Sequence, residues 1–156
     1  MKTHVARTLI TSVVCACSLV ITTSAQDTEK RVKMNDLPEA VRKTVEEQSK
    51  GAKLRGLAKE TEEGKTYYEA ELRVGGHSKD VLIDETGAVI EIEEQVALSS
   101  VPPAVKATIE KNAGKRKIKD VESITKNGAI VGYEAHFATG AVREIKVAPN
   151  GELMPK

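Results

Sequence analysis

Two hydrophobic periods alternate along the chain. Leu37, Val41 and Val45, with the small Ala40 beside them, fall opposite Arg42, Lys43, Glu46 and Glu47, the spacing of a helix with one buried face. Asp36 with Glu39 three residues on reads as a capping box, Pro38 suits a first turn, and Gly51 marks the stop. The pattern then changes to strict alternation. Tyr68, Ala70, Leu72 and Val74 interleave with Tyr67, Glu69, Glu71 and Arg73, which predicts a strand with a core face and a wet face. Val81 and Ile83 continue the alternation, as do Ile90 and Ile92 between Glu91 and Glu93, with hairpin turns at Glu63-Gly64, Gly75-Gly76 and Thr86-Gly87.

The same succession returns at an offset of 64 residues. Leu37-Pro38-Glu39-Ala40-Val41 reappears as Val101-Pro102-Pro103-Ala104-Val105, and Thr44-Val45-Glu46 as Thr108-Ile109-Glu110. Tyr68-Glu69-Ala70-Glu71-Leu72 corresponds to Tyr133-Glu134-Ala135-His136-Phe137 with one residue inserted, and Val81, Ile83 and Gly87 to Ile145, Val147 and Gly151. The second helix is expected to have Ser100 as cap and Gly114 as stop, and its turns to fall at Asn127-Gly128 and Asn150-Gly151. Lys53 to Thr61 and Arg116 to Lys126 also fit a helical spacing, and we read them as strands.

The predicted class is α+β: a tandem repeat over residues 35–93 and 101–154, joined by 94–100, each unit one helix packed on a three- to four-stranded antiparallel sheet. The two units are expected to pack side by side or to continue one sheet into the next.

Residues 1–25 read differently. Lys2 and Arg7 precede an apolar stretch from Leu9 to Ile21, and Thr23-Ser24-Ala25 supplies small residues for cleavage, as in a secretory signal. Val14-Cys15-Ala16-Cys17 loosely resembles a lipobox, but the apolar run continues beyond it, and it is too short for a comfortable membrane span. Cleavage after Ala25 removes Cys15 and Cys17, so the mature chain has neither disulfide nor thiol chemistry. It also removes Lys2 and Arg7, so 22 of the 24 basic residues face 23 acidic ones and the net charge passes from +1 to −1. The expected location is periplasmic or secreted, with no stable membrane span after cleavage.

That charge removes the case for nucleic acid binding through a basic field, and with aromatic residues at 3% there is little on which to stack a base. No cofactor is expected. His77 and His136 are the histidines of the mature chain and have no metal-ligand spacing, so no metal site is expected. Ser78 beside His77 points to the opposite face of a strand, and no nucleophile elbow or phosphate loop is present, so an enzyme is not expected. Lys111, Lys115, Arg116, Lys117 and Lys119 form one basic run, read as a solvated helix end. The acidic residues Glu69, Glu71 and Glu134 are read as a solvated sheet face, and Asp84 as a turn residue.

The order helix, strand, turn, Tyr67-Tyr68-Glu69-Ala70-Glu71-Leu72, then Lys79 to Ile90 with Asp84-Glu85-Thr86-Gly87 inside it, resembles a PepSY domain. Two tandem copies behind a signal are similar to the PepSY-like proteins grouped with the β-lactamase inhibitory protein. Ala148 stands where the second copy would repeat Asp84. The resemblance implies a small exported binding module that restrains a protease or other secreted enzyme. Tyr67, on the polar parity and of a type favoured at interfaces, together with Glu69, Glu71, Arg73, Glu134 and His136, is the candidate partner-binding face. The partner expected is another exported protein, such as a protease or hydrolase. The alternative is a small-ligand or metal-ion sensor using the acidic sheet face.

Overall fold

The computed structural model describes residues 28–62 and 64–155. The signal segment and Glu63 of the first predicted turn therefore lie outside the described residues. Eight strands follow in the order β1 (Thr28–Arg31), β2 (Lys53–Glu62), β3 (Lys65–Val74), β4 (His77–Asp84), β5 (Val89–Gln95), β6 (Ile118–Lys126), β7 (Ala129–Phe137) and β8 (Glu144–Val147). A 3₁₀ turn, Met34–Asp36, precedes α1 (Glu39–Gln48), and α2 (Pro103–Ala113) lies between β5 and β6.

All eight strands form one antiparallel sheet in sequence order. The expectation of three or four strands to a sheet is corrected by the β5–β6 pairing, in which Ile92 to Gln95 meet Thr125 to Glu122. Pairing satisfies backbone groups that would otherwise be left as two bare edges in mid-molecule.

Both helices cover the same face. Leu37, Val41 and Val45 pack with Leu57, Tyr68, Ala70, Leu72, Val81 and Ile83, whereas Val101, Val105, Ile109 and Ala113 pack with Val121, Tyr133, Ala135, Phe137, Ile145 and Val147. The alternation of β3 determines this: Tyr68, Ala70 and Leu72 are buried while Glu69 and Glu71 point the other way. At the β6–β7 turn, Asn127 and Gly128 take φ values of 51° and 76°, the left-handed pair that a two-residue hairpin needs.

The helix starts depart from expectation. Pro38 and Pro102 occupy the cap positions and neither helix has a side-chain cap. Asp36 instead accepts the Lys33 amide at 3.0 Å and closes its own 3₁₀ turn, and the Ser100 hydroxyl donates to the Ala97 carbonyl at 2.7 Å. Prolines that follow these residues already set the entry angle. Gly114 does end α2, whereas α1 ends at Ser49, two residues before Gly51.

The basic run is also corrected at Arg116. Its guanidinium donates to the Ala113 and Val142 carbonyls at 3.2 and 2.5 Å and to that of Asn112, and it lies 4.2 Å from the centroid of the Phe137 ring. It ties the end of α2 to the loop before β8 rather than trailing in solvent.

Candidate functional site: the uncovered acidic sheet face

The sheet face opposite the helices carries carboxylates from nearly every strand. Cross-strand partners share a face, so the register places Glu60, Tyr67, Glu69, Glu71, Asp80, Leu82, Glu91, Glu93, Glu122 and Glu134 on it together. An open groove of about 590 Å³ runs over this face, lined from Glu29 of β1 through Tyr67, Glu69, Asp80, Leu82 and Glu93 to Lys146 of β8. One groove touching both edge strands shows that the face is hollow. A second depression, of about 450 Å³, adjoins it at Glu69 and Asp80 and continues to Glu71, Arg73 and Ser78.

The half of the face formed by β5 to β8 neutralises its own charge. Lys146 Nζ lies 3.1 Å from Glu134 Oε2 and 3.5 Å from Glu93 Oε1, reaching from β8 over to β5. Lys126 holds Glu91 at 2.5 Å. His136 Nδ1 is 2.5 Å from Asp120 Oδ1 and its Nε2 is 3.4 Å from Glu134 Oε1. The hydrogen bond to Glu134 raises the imidazole to about 9 against the opposing effect of burial, with Asp120 assisting. Burial works to raise Glu134, but His136 and Lys146 outweigh it and hold the carboxyl below its ordinary range. Glu122 is buried too, and accepts the Ser78 hydroxyl at 3.0 Å.

The half formed by β2 to β4 is different. Burial pushes Glu69 up to about 8, helped by Glu60, whose carboxyl lies within hydrogen-bonding reach, and by Asp80 and Glu71. Burial likewise raises Asp80 to about 6, with Glu122 and Glu71 adding to it. Among the described residues, none of Glu60, Glu69 and Asp80 is in an ion pair; Glu71 is held by Arg31 at 2.6 Å. Glu93 is pushed to about 7 by burial and by Glu134, against the pull of Lys146.

All six residues expected to form a partner-binding face are on this face, but they do not form one cluster. Tyr67 and Glu69 line the main groove, Glu71 and Arg73 the adjoining depression, and Glu134 and His136 stand on β7 inside the ion network. The solvated reading of Glu134 is corrected: the residue is 5% exposed, because His136, Lys146 and its carboxylate neighbours lie over it. Lys146 and Asp80 were not anticipated as members of the face. The signal for both was strand parity, since Lys146 alternates with Ile145 and Val147, and Asp80 with Val81.

Asp84 serves its turn, accepting the Thr86 and Ala88 amides at 2.9 and 3.0 Å. Asp120, Glu122 and His136, and likewise Glu134, His136 and Glu144, bring possible ligand atoms within 4.8 Å of one another. In this arrangement the His136 ring bridges two carboxylates, with Nδ1 2.5 Å from Asp120 and Nε2 3.4 Å from Glu134.

Family comparison gives the chain its place. A family described as "Putative beta-lactamase-inhibitor-like, PepSY-like" matches it twice, over residues 24–91 and 66–154. The chain belongs to this PepSY-like family. No curated protein is similar to it in sequence. Among solved structures, one described as a "putative periplasmic" protein of Bacteroides eggerthii is similar with a TM-score of 0.59 at 16% identity, over 76% of this chain and 86% of that one. A DUF2874 family protein of Bacteroides uniformis gives 0.57 at 18%, over 76% and 86%. A BLIP-like protein of Bacteroides fragilis gives 0.51 at 17%, over 76% and 84%. At these identities the PepSY-like chain shares a fold with them. No helix among the described residues is long and apolar enough to cross a membrane.

Proposed function

We propose that this chain is an exported, non-enzymatic binding protein whose uncovered acidic sheet face engages another secreted or periplasmic protein. The observation that carries the reading is the hollow face itself: eight strands present a groove of about 590 Å³ with carboxylates on its walls and Tyr67 at its side, and no helix among the described residues covers it. A fold that needed only stability would gain nothing from crowding acids to the point where Glu69 rises to about 8. The periplasmic description of a similar structure and the signal-like residues 1–25 support export. Inhibition of a protease or hydrolase is the narrower form of the reading, supported by the inhibitor-like family description.

In the same reading the mature chain is two repeats, 35–93 and 101–154, joined through 94–100. The paired hydrophobic clusters, one under each helix, support it. The metal-ion or small-ligand sensor has less support, because His136, common to both sets of potential ligands, is already engaged by Asp120 at 2.5 Å and Glu134 at 3.4 Å.

The test is affinity capture from the cell envelope of the source organism with the mature chain and two charge reversals, Glu69→Lys on the open face and Lys43→Glu on α1. Loss of a specific captured protein with Glu69→Lys alone supports the reading. Retention by Glu69→Lys, or loss with Lys43→Glu alone, contradicts it.

A further inference from the structure

The two halves of the uncovered face solve the same problem differently. In the repeat, allowing for the one residue inserted before Tyr133 of β7, Glu69 corresponds to Glu134, Glu71 to His136 and Leu82 to Lys146. The ladders agree: Glu69 stands opposite Leu82 across β3–β4, and Glu134 opposite Lys146 across β7–β8. Glu134 therefore has a cation on the next strand and another two residues along its own, whereas Glu69 has an alkyl group and a carboxylate at those places. Glu134 is tied by Lys146 and His136 at 3.1 and 3.4 Å, whereas among the described residues Glu60, Glu69 and Asp80 are in no ion pair and Arg31 is engaged by Glu71 beside them.

We infer that the groove over β2–β5 receives a lysine or arginine side chain presented by the bound protein, which enters between Glu60, Glu69 and Asp80 and supplies from outside the positive charge that Lys146 supplies within the chain at Glu134. This rests on the protein-binding reading above and names the chemistry of the partner. Tyr67, Leu82 and Ile90 line the same groove and offer apolar surface to the alkyl stem of such a side chain. A desolvated carboxylate cluster attracts a cation more strongly than an exposed one, and a charge on the partner that fits it sets orientation as well as affinity.

Protons compete for the same place. The charged groups around Glu69 are Glu29 and Arg31 of β1, the latter holding Glu71; Arg55, Glu60 and Glu62 of β2; Glu71 and Arg73 of β3; Asp80 of β4, with Glu122 of β6 acting on it; Glu91 and Glu93 of β5; and their lysines, Lys126 of β6 and Lys146 of β8. Glu69 at about 8 and Asp80 at about 6 hold protons in mild acid, so the cationic side chain binds better as the pH rises through that range.

The experiment is fluorescence anisotropy of the full mature chain with a labelled short peptide of glycine, serine and lysine, beside the same peptide with glutamine for lysine, at low salt. At about pH 8.5 the lysine peptide is expected to bind at least about tenfold more tightly than the glutamine peptide, and more tightly than at about pH 6. Leu82→Lys, which installs the cation in the chain, is expected to weaken it about tenfold, and Leu82→Met to leave it within about twofold. If Leu82→Lys lacks a cooperative melt, Glu69→Gln takes its place, with an expected loss of about threefold or more. Absence of binding, equal binding of the two peptides, or undiminished binding by the folded variant overturns the inference. Such a failure alongside successful capture with the variants above removes the cationic occupant alone. Peptide binding without capture removes the protein partner.

Discussion

Thr44 and Gly87 are joined side chain to backbone: the Thr44 hydroxyl donates to the Gly87 carbonyl at 2.6 Å, and Thr108 repeats the contact with Gly151 at 2.7 Å. Each bond pins a helix to the turn at the end of a strand beneath it. The turns are built for the approach. A Cβ on Gly87 would lie 2.8 Å from the Ala40 carbonyl oxygen, and one on Gly151 2.9 Å from that of Ala104. Thr44→Val, which keeps the shape and removes the donor, is expected to cost about 1 kcal/mol by urea denaturation. Gly87→Ala is expected to cost more, about 2–3 kcal/mol, since φ is 86° and the helix backbone is in the way.

Arg116 replaces a free charge with a clamp on three carbonyls and the Phe137 ring. Arg116→Lys keeps the charge but not the planar fork, and is expected to destabilise by about 1–2 kcal/mol, whereas Lys115→Ala or Lys117→Ala changes stability by less than about 0.5 kcal/mol. Thermal melts of the three variants check this.

The acidic face makes stability depend on pH in a definite direction. Glu69, Glu93 and Asp80 keep their protons in the folded chain to about 8, 7 and 6, so their contribution is complete below the ordinary carboxylate range and is lost as pH rises through those values. His136 acts in the same sense, contributing fully below 6.5 and losing its contribution as pH rises through about 9. Glu134, held low, contributes above the ordinary range and loses its share as pH falls. The urea midpoint is therefore expected to be highest in mild acid, near about pH 5, and to decline towards about pH 9. Glu69→Gln flattens part of that decline and raises stability at about pH 8.5 by about 1 kcal/mol after allowance for solvent screening.

Lys146 is the counter-test. Its removal leaves Glu93 and the buried Glu134 facing each other. Lys146→Met is expected to cost about 1–3 kcal/mol at neutral pH, and less in mild acid where Glu93 takes up a proton. Denaturation at the two pH values checks both the size and its pH dependence.

Much of this architecture was legible in residue order alone. Tyr68 alternating with Glu69 predicts which face of β3 is buried, Asn127-Gly128 predicts a tight hairpin, and the return of Thr44 and Gly87 as Thr108 and Gly151 anticipates a shared contact. What was not legible depends on how strands meet. Glu134 looks solvated in its own strand, and is buried by His136 two residues along and by Lys146 from the neighbouring strand. Asp36 and Ser100 have the composition of helix caps, yet the prolines after them assign each to a turn instead. Lys146 reaching Glu93 across β6 and β7 follows only from the joined sheet.

The central claim is that the partner occupies the open acidic face and not the helices. Carbodiimide footprinting of the complex tests it most directly, by comparing carboxyl labelling of the free and bound mature chain at about pH 8. Protection of Glu60, Glu69 and Asp80, with Glu46 and Glu110 on the helices labelled as in the free protein, is the predicted result. Protection of Glu46 and Glu110 with Glu69 and Asp80 unchanged would contradict it.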